Sequence, residues 1–374
     1  MADVSLILLA AGDSNRLNLP TKKQWLYIDD TPLWQFVANR FKSFYTFKKI
    51  IIVGNQKELA LMQKFDEHFC YVAGGNTRQA SLKNALEQVS SQYVMVSDVA
   101  RACIPKKLVT KLIKKRAKKA CVVPSLVVSD TLYFENRPIP REKARLIQTP
   151  QLSHTKTLKK ILQSNQEFTD ESSAFYNANK RVIFVQGSKE AHKITYKDEL
   201  LQMPCLKPPS NIIKSGFGLD IHQFEQNKQM YLAGVAIDAP FGFKAHSDGD
   251  VAIHAIIDAL LGASALGDIG ELFPDNEPKY KNIDSRKLLK EVVALIQAVG
   301  YEIVHIDMTI LAEVPKIAPY KKHMQKELAK SMQLLQEKIN IKATRGEKLG
   351  FVGRKEGVQV NAIATLQYYK WGKK

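Results

Sequence analysis

Short apolar segments alternate with segments of helical spacing along the first half of the chain. Residues 4–9 (VSLILL) form an apolar run that ends at Ala-Ala-Gly, and later runs repeat this pattern. Runs of this length predict strands buried on both faces of a parallel sheet. The predicted strands are 4–9, 49–53, 93–97, 120–128 and 181–186. The predicted helices between them are 33–43, 56–64 and 77–89. This alternation predicts an α/β domain with a mostly parallel, Rossmann-like sheet and right-handed crossovers.

A proline-rich segment interrupts this pattern at 203–211 (MPCLKPPSN), where three prolines fall within six residues. Because proline continues neither a helix nor a central strand, the segment predicts a stiff linker. We therefore place a domain boundary near residue 208, between domains of residues 1–207 and 208–374. The second half predicts an α+β domain. Its predicted elements are strands at 212–220, 301–311 and 358–368 and helices at 250–266, 285–299 and 319–338.

Length and composition fit a protein of two or three domains without a membrane anchor. The chain has 374 residues, and domains average about 150. The longest apolar runs fall short of the roughly 18 residues that a bilayer span needs, and no basic segment precedes residues 5–11, as a signal peptide would require. The four cysteines form no CxxC pair, which predicts reduced, mostly buried thiols in a cytoplasmic protein.

Positive charge is concentrated in the first half. The net charge is +18, and residues 1–206 carry 32 Lys and Arg against 18 Asp and Glu. Residues 106–119 hold eight basic residues and no acidic one, with apolar residues at helical spacing between them. This pattern favours the solvated face of an amphipathic helix over a surface for nucleic acid or an acidic partner.

The first candidate site begins where strand 4–9 ends. Ala10, Ala11 and Gly12 are small enough for backbone N–H groups to approach a phosphate closely. Arg16 and Lys23 supply positive charge for a phosphorus atom that gains negative charge in a transition state. A tight turn without a ligand explains Ala-Ala-Gly equally well, and no GxxxxGK[ST] motif is present.

Two further segments fit the same site. A glycine turn at Gly74 leads into a predicted helix whose first turns place Arg78 and Ser81 on one face, towards the loop. Asp98 follows a predicted parallel strand, at the end where ligands of such sheets collect, and a carboxylate there can hold Mg²⁺. A helix N-cap is the alternative interpretation of Asp98.

The second candidate site is a metal site. Asp220 and His222 are two residues apart on a predicted strand and therefore share one face. His254 lies at the start of a predicted helix after the acidic segment His-Ser-Asp-Gly-Asp. One Asp and two His leave a tetrahedral position open, which is typical of a catalytic zinc or another divalent cation.

Residues 3–206 resemble the 2-C-methyl-D-erythritol 4-phosphate cytidylyltransferases. The motifs that carry the resemblance are AAG with Arg16 and Lys23-Gln24, Gly74-Gly75 with Arg78 and Ser81, Asp98 with Arg101, Asp130-Thr131, Thr149-Pro150-Gln151, Thr169-Asp170-Glu171 with Ala174, and Lys193. Two segments depart from the family pattern: DAAR reads Asp98-Val-Ala-Arg, and the glycine-rich segment after AAG reads Asp13-Ser-Asn.

The resemblance implies that methylerythritol phosphate attacks the α-phosphorus of CTP and releases diphosphate with the help of Mg²⁺ or Mn²⁺. Arg16, Lys23 and Lys193 would stabilise the transition state. The implied CTP-binding residues are Ala10, Ala11, Gly12, Gly74, Arg78 and Ser81, with Asp98 at the metal. Thr131 and Arg141 would bind methylerythritol phosphate, with Arg141 reaching into a partner subunit.

Residues 211–370 resemble the 2-C-methyl-D-erythritol 2,4-cyclodiphosphate synthases. The matching segments are 216–222, 245–254, 258–262, 267–275, Ala312 with Pro315-Lys316, 347–351 and Gly353-Arg354. The resemblance implies that the substrate's 2-phosphate attacks its own β-phosphorus, releasing CMP and leaving a cyclic diphosphate. The threonine run that the family has before Glu347 reads Thr344-Arg345-Gly346 here. Arg345 would therefore stand where a catalytic hydroxyl is expected, and either its cation or its backbone would supply the contact.

This second resemblance also implies residue roles. Zinc would bind Asp220, His222 and His254, and Glu347 would bind a second metal, Mg²⁺ or Mn²⁺. His246 and Ser247 would contact the reacting phosphates. Asp268 and Asp275 would hold the methylerythritol group. Residues 312–318 with Ala312 and Lys316, together with Arg354, would form the cytidine pocket. Phe273, Thr344 and Phe351 complete the implied substrate-binding set.

The two resemblances together indicate a bifunctional enzyme of isoprenoid-precursor synthesis that lacks the kinase of the intervening step. They imply trimeric contacts in the second domain and dimeric contacts in the first, which could combine into a hexamer, and they leave that kinase as a candidate partner. Two alternatives stay open. One is another cytidylyltransferase, such as a ribitol-phosphate enzyme, fused to a metal-dependent phosphohydrolase or lyase. The other is a first half that acts as a basic nucleic-acid-binding scaffold.

Overall fold

A computed structural model describes residues 3–164, 166–245, 247–274, 277–280 and 283–372. The chain divides into two units. The first contains the residues up to Pro209 together with those from Lys370 onward, and the second is Ser210–Tyr369. The residues after Tyr369 thus lie in the first unit, whereas the sequence pattern assigned them to the second.

The first unit is built on an eight-stranded sheet in the order β10-β7-β11-β6-β1-β4-β5, with β12 beside β7. Its strands and those of two small hairpins are β1 (Val4–Leu9), β2 (Tyr27–Ile28), β3 (Thr31–Pro32), β4 (Ile50–Gly54), β5 (Cys70–Ala73), β6 (Tyr93–Asp98), β7 (Ala120–Val127), β8 (Leu132–Phe134), β9 (Arg137–Ile139), β10 (Arg145–Ile147), β11 (Gln151–His154) and β12 (Arg181–Gln186). The pairs β6–β1, β1–β4, β4–β5 and β7–β12 are parallel. The predicted mostly parallel α/β sheet is therefore confirmed.

The described part of the first unit contains six α-helices: α1 (Leu33–Phe44), α2 (Leu59–Phe65), α3 (Arg78–Glu87), α4 (Lys106–Lys114), α5 (Thr155–Ile161) and α6 (Glu171–Asn177). Strands β1, β4 and β6 are apolar on both faces, and Leu6, Ile7 and Leu8 of β1 are fully buried. Helix α4 buries its apolar stripe, Leu108, Val109, Leu112 and Ile113, and exposes its lysines. The predicted amphipathic helix is confirmed.

The end of the described chain contributes to the first unit's core. Trp371 is 2% exposed, and its indole Nε1 donates to the Tyr27 carbonyl over 2.7 Å. A Cβ atom on the next residue, Gly372, would lie 3.0 Å from Pro208, and Pro209 bridges to Asp29. Pro209 of the linker and Trp371 therefore both contact the hairpin β2–β3.

Replacing Trp371 with alanine is expected to lower the free energy of unfolding of the first unit by about 3 kcal/mol, because a large buried side chain is lost. Hydrogen exchange followed peptide by peptide should show faster opening of β1 and β4, with the second unit unchanged. Tyr176→Ala is the control, because this aromatic residue is 75% exposed. Equal protection of β1 in both variants would contradict the prediction.

The cysteines differ from the sequence-based expectation. Cys103 and Cys205 form a disulfide across 102 residues of sequence, so the prediction of four reduced thiols is wrong for this pair. The fold brings together two segments that share no local motif, and spacing alone therefore could not indicate the bond. Cys70 and Cys121 are free, and burial raises the pKa of the Cys121 thiol.

The second unit contains a five-stranded sheet in the order β16-β13-β19-β17-β18. Its strands, with those of a separate hairpin, are β13 (Ile213–Gln226), β14 (Met230–Leu232), β15 (Val235–Ile237), β16 (Phe241–Phe243), β17 (Tyr301–Leu311), β18 (Ile339–Thr344) and β19 (Gly357–Tyr368). Its α-helices are α7 (Val251–Ser264), α8 (Ile269–Leu272), α9 (Ser285–Ala298), α10 (Lys321–Met332) and α11 (Gly350–Gly353). Only β17 and β18 pair in parallel in this sheet. The predicted α+β class is confirmed, although α10 ends earlier than the predicted helix 319–338.

Helix α7 lies directly against strand β13. The helix is apolar on most of its surface and almost entirely buried. A Cβ atom at Gly218 would come within 2.0 Å of the Ala255 carbonyl oxygen, and one at Gly216 within 2.2 Å of that of Ala259. Glycine is therefore required at both positions for this close approach. None of the helices in the described part of the chain has the length and apolar content needed to cross a membrane.

Candidate functional sites

A cavity of about 920 Å³ opens in the first unit at the carboxyl ends of β1, β4, β5 and β6. Ligands of parallel sheets bind at this edge. The cavity brings together ten residues that the sequence analysis placed there: Ala10, Ala11, Gly12, Arg16, Lys23, Gly74, Arg78, Ser81, Asp98 and Lys193. The expected triphosphate loop and its cations thus share one cavity.

Small residues form the floor of this cavity. A Cβ atom at Gly74 would lie 2.5 Å from the Cβ of Ala11, so the two loops meet without room for a side chain. The Gly75 N–H donates to the Ser81 hydroxyl over 3.0 Å. Ser14 accepts a hydrogen bond from the Lys23 backbone over 3.0 Å. These contacts hold the loop after β1 close to the start of α3.

Four cationic side chains of the described residues line this cavity: Arg16, Lys23, Arg78 and Lys193. The Lys23 ammonium donates to the Ile194 carbonyl. Burial and the positive charges of Lys193 and Arg16 lower the pKa of Lys23 to about 8. A polyanion bound here would relieve this repulsion, because its negative charge favours the protonated amine.

Asp98 lies between two of the cavity's cations. One oxygen is 2.8 Å from the Lys193 amine and the other is 3.5 Å from the Arg78 guanidinium. Burial alone would raise the pKa of Asp98, but these charges outweigh it and lower the pKa. The carboxylate is thus ionised, as a metal ligand must be. A Mg²⁺ ion at Asp98 would compete with these two side chains.

Two buried acids, to which the sequence analysis gave no role, anchor the cationic segments. Glu171 is fully buried and lies 2.8 Å from the Arg78 guanidinium. Glu58 accepts hydrogen bonds of 2.6 Å from Lys22 and from the Trp25 indole, on either side of Lys23. No sequence signal links these partners, since the pairs are far apart along the chain.

The second unit gathers the predicted metal ligands. Candidate ligand atoms of Asp220, His222 and His254 all lie within 4.8 Å of one another. The Asp220 Oδ2 atom is 3.2 Å from both His222 Nε2 and His254 Nδ1. One carboxylate and two imidazoles suit Zn²⁺ and similar divalent cations. The residues therefore fit the expected metal.

The protonation of these side chains favours metal binding at His222. Its Nδ1 lies 2.9 Å from the Gly249 carbonyl, which only accepts, so Nε2 presents its lone pair to the cluster. Burial lowers the pKa of His222 and keeps this ring neutral. At His254, burial acts in the same direction, but the hydrogen bond to Asp220 outweighs it and raises the pKa. An ion bound at His254 Nδ1 would compete with the 3.2 Å contact between this atom and Asp220 Oδ2.

Gly218→Ala is expected to weaken Zn²⁺ binding at least about tenfold, because a methyl group here would push α7 and His254 away from β13. Zinc affinity measured by competition with a chelator would test this. Gly262→Ala is the matched control, since a Cβ atom at this α7 glycine meets nothing within 4 Å. Equal affinities for the two variants would show that the spacing of strand and helix does not control the site.

Comparison with known proteins covers both units. A family model described as 2-C-methyl-D-erythritol 4-phosphate cytidylyltransferase matches residues 4–205. A model described as the YgbB family matches residues 213–367. The "Bifunctional enzyme IspD/IspF" of Sulfurovum sp. (strain NBC37-1) is 52% identical over 374 residues, with both chains covered completely. This chain belongs to the bifunctional IspD/IspF family.

Two further IspD/IspF proteins support the assignment. The protein of the same name from Aliarcobacter butzleri (strain RM4018) is 51% identical, again over the whole of both chains. The solved structure of the bifunctional IspDF from Campylobacter jejuni is 45% identical and superimposes with a TM-score of 0.92, covering both chains fully. The resemblance of both halves, inferred from motifs, is confirmed.

Other expected residues of the second unit gather at the carboxyl ends of β17 and β18. The Ala312 N–H donates to the Thr344 carbonyl over 3.0 Å, and the Gly346 N–H donates to Glu313 over 3.2 Å. Thr344, Arg345 and Glu347 follow as an exposed segment. Within the described residues, Glu347 is not part of the Asp-His-His cluster.

The remaining residues expected to bind substrate in the second unit differ in their exposure and in their contacts. Lys316 is exposed, Phe351 is half-buried in α11, and Arg354 pairs with Glu356 over 2.8 Å. Asp268 caps α8 by accepting from the Glu271 N–H over 2.9 Å. Phe273 is buried against Tyr280, so its side chain packs inward. Ser247 lies 3.4 Å from His254 Nε2. His246 and Asp275 lie outside the described residues.

Two expected residues of the first IspD/IspF unit lie outside its cavity. Thr131 and Arg141 flank the exposed hairpin β8–β9, and Arg141 donates to the Ser129 carbonyl over 2.6 Å. Conversely, Asn55 and Gln56 line the cavity although the sequence analysis did not select them. They follow β4 as Asp98 ends β6, so the strand-end argument applied to Asp98 would have found them.

Proposed function

We propose that the chain catalyses two steps of isoprenoid-precursor synthesis. The first unit joins CTP and 2-C-methyl-D-erythritol 4-phosphate into CDP-methylerythritol and releases diphosphate. The second unit converts CDP-methylerythritol 2-phosphate into methylerythritol 2,4-cyclodiphosphate and CMP. The observation that carries this proposal is the full-length similarity to bifunctional IspD/IspF proteins, supported by the cationic cavity and the Asp-His-His cluster.

In the first unit, attack by the methylerythritol phosphate places extra negative charge on the α-phosphate of CTP. Lys23, Arg16 and Lys193 surround that position and stabilise the charge without having to move. The backbone from Ala10 to Gly12, with Gly74 and Ser81, holds the nucleotide. Mg²⁺ near Asp98 would shield the phosphate charges. Thr131 and Arg141 bind methylerythritol phosphate, with Arg141 acting in the partner subunit's site.

In the second unit, Asp220, His222 and His254 hold a divalent cation, which we propose to be zinc. When bound, such an ion polarises phosphate oxygens and reduces their mutual repulsion. Ser247 and His246 contact the reacting phosphates, and Asp268 and Asp275 hold the methylerythritol group. The segment from Ala312 to Lys316, with Phe351 and Arg354, receives the cytidine. Glu347 holds a second ion, Mg²⁺ or Mn²⁺.

Arg345 replaces the threonine expected at the second reaction centre, and we propose that its guanidinium stabilises charge there in place of a hydroxyl. The side chain is exposed and follows β18 directly. A guanidinium binds phosphate oxygens through two parallel hydrogen bonds, which a hydroxyl cannot do. Arg345 would therefore contribute positive charge to the reacting phosphates.

We also propose that the chain assembles through both units. Strand β13 exposes Phe217, Leu219 and Ile221 on one face, with Phe217 61% exposed, and an apolar strand face of this kind is typical of an interface. The hairpin β8–β9 exposes Tyr133 and Phe134. A trimer through the first surface and a dimer through the second would combine into a hexamer. The intervening kinase is a candidate partner, and we propose a cytoplasmic location for the enzyme.

Two assays test the proposal on the purified full-length chain. Diphosphate release from CTP and methylerythritol phosphate with Mg²⁺ tests the first unit, and CMP release from CDP-methylerythritol 2-phosphate tests the second. Turnover with ribitol phosphate but not with methylerythritol phosphate would favour a different cytidylyltransferase. Salt-dependent nucleic-acid binding without diphosphate release would favour a scaffold. A monomer in light scattering would exclude the proposed assembly.

A further inference from the structure

We propose that Ser285 and Asp248 position His254 for the metal by fixing which ring nitrogen carries its proton. The Asp248 carboxylate accepts the Ser285 hydroxyl proton, and the Ser285 oxygen accepts the N–H of His254 Nε2. The lone pair of His254 is then on Nδ1, the atom that faces Asp220. The inference rests on the proposed metal site but on neither of the two reactions.

The hydroxyl group of Ser285 directs its proton to the Asp248 carboxylate. Ser285 Oγ lies 2.6 Å from Asp248 Oδ1, and the Ser285 backbone N–H donates to Asp248 Oδ2 over 3.1 Å. Both carboxylate oxygens therefore face donors of the same residue. Because an ionised carboxylate only accepts hydrogen bonds, the hydroxyl proton must point to Asp248.

The orientation of the Ser285 hydroxyl determines which nitrogen of the His254 ring carries a hydrogen. Ser285 Oγ lies 3.0 Å from His254 Nε2. Since the hydroxyl proton is already donated to Asp248, the Ser285 oxygen can only accept from the ring. Nε2 must therefore carry the hydrogen, and in the neutral ring Nδ1 keeps its lone pair. Nδ1 is the nitrogen 3.2 Å from Asp220 Oδ2, on the side shared with His222 Nε2.

The hydrogen-bonded series Asp248–Ser285–His254, here called the relay, is held in place by its surroundings. Ser285 is fully buried at the first turn of α9. The Asp248 backbone N–H donates to the Ile283 carbonyl over 3.2 Å, and Asp248 Oδ1 also accepts from the Asp250 N–H over 3.3 Å. The relay therefore connects the loop before α7 with the start of α9. Partners of this kind orient a ligating histidine and strengthen metal binding.

The competing interpretation is that the hydrogen bonds between Ser285 and Asp248 only join the start of α9 to the loop before α7. Such a role would affect the stability of the fold but not the affinity for a metal. Ser247 is a second possible partner of His254 Nε2, but its oxygen is farther away, at 3.4 Å, and accepts from the Gly249 N–H. The experiment must therefore measure metal affinity and stability separately.

We would measure Zn²⁺ affinity of the full chain by competition with a chromophoric chelator. Ser285→Ala is expected to weaken binding about 10- to 100-fold. Ser264→Ala is the matched control, because Ser264 is a buried serine of α7 that bonds only its own helix. This control should leave the affinity within about threefold of wild type. The melting temperature of each metal-free variant separates a change in affinity from a loss of folding.

Asp248→Asn provides a second variant of nearly equal volume. An asparagine has one accepting oxygen, so with that oxygen on the Ser285 N–H its amide would donate to the Ser285 hydroxyl oxygen. The hydroxyl would then turn its proton towards His254 Nε2 and favour a hydrogen on Nδ1, where the metal should bind. Zinc affinity should again fall at least about tenfold.

Nitrogen NMR of the histidine rings gives an independent measurement. In zinc-loaded wild type, His254 should be protonated at Nε2 and metal-bound at Nδ1. Metal on Nε2, or unchanged affinity in both the Ser285 and the Asp248 variants, would overturn the relay while leaving the metal site in place. A wild-type chain that binds no Zn²⁺ would overturn both the relay and the proposed metal site.

Discussion

Replacing Lys23 with alanine is expected to lower kcat/KM for diphosphate release from CTP by a factor of about 10³, because a cation preorganised at the reacting phosphate is lost. The measurement is coupled detection of diphosphate with saturating methylerythritol phosphate and Mg²⁺. CMP release by the second unit of the same protein should be unchanged and serves as an internal control. A decrease of less than about tenfold would indicate that Arg16 and Lys193 suffice.

The pH dependence of the wild type should reflect the same side chain. Burial and neighbouring cations lower the pKa of Lys23 to about 8, so the free enzyme loses this positive charge as the pH rises through that value. We expect kcat/KM for CTP, which reports on groups of the free enzyme, to fall above about pH 8. The alanine variant should lack this decline.

The same lowered pKa predicts the stability of a Lys23→Met variant. A lysine whose folded-state pKa lies below its unfolded value destabilises the fold, fully below the folded pKa and less as the pH rises towards the unfolded one. Removing the ammonium group while keeping the side-chain length should therefore leave the melting temperature at pH 7 equal or higher. A lower melting temperature would mean that Lys23 supports the fold as well as the reaction.

Replacing His254 with alanine should abolish the second reaction and leave the first intact. The substitution removes one of three ligands from the cluster with Asp220 and His222, and we expect Zn²⁺ affinity to fall more than about 100-fold. CMP release should fall by about 10³ or more, because an ion that polarises the phosphates is no longer held.

Zinc content by mass spectrometry and the two product assays would test this expectation on one protein preparation. His323→Ala is the control for a histidine outside the cluster, since His323 lies in α10. Retained CMP release by the zinc-free variant would show that the cluster is not needed for cyclisation. Loss of diphosphate release as well would indicate unfolding rather than a local effect.

Sequence patterns predicted the parts of the fold that depend on apolar runs. Strands β1, β4 and β6 are apolar on both faces, and their predicted bounds differ from the observed ones by one residue at most. Strand β11 was missed because its residues, Gln151–His154, are mostly polar although three of the four are buried. The buried side chain of Gln151 donates a hydrogen bond to Asp170 and accepts one from the Ser172 N–H. No local sequence pattern indicates these partners.

Helix α10 illustrates a second kind of error. The apolar pattern continued to residue 338, but the helix ends at Met332, where Gln333 adopts a left-handed conformation with φ of 54°. The chain then forms β18, which pairs in parallel with β17. Residues 336–338 form a separate 3₁₀ helix before that strand, so the left-handed turn at Gln333, rather than strand pairing, ends the helix before the predicted bound.

In the candidate sites, too, the sequence predicted residues that follow a local pattern and missed those that depend on distant partners. Asp220 and His222 could be predicted because alternate residues of a strand share a face, and Asp98 because ligands collect at strand ends. The roles of Glu171, which the sequence offered only as part of a motif, and of Ser285 escaped prediction because they depend on Arg78 and His254, which lie far away in sequence. Local spacing therefore identified groups that would touch a ligand, whereas the groups that hold them in place required the tertiary structure.

The position of Trp371 has a consequence for how the chain is made. Its indole belongs to the core of the unit that contains β1, yet the ribosome must first synthesise all of Ser210–Tyr369. Trp371 therefore joins the core of the nucleotide-binding unit only after Ser210–Tyr369 has been synthesised, although domains usually fold in order of synthesis. A gene cut at the proline linker would encode a cytidylyltransferase fragment with an unfilled cavity under Tyr27. Supplying the residues from Lys370 onward, as a fused or separate peptide, should restore that fragment.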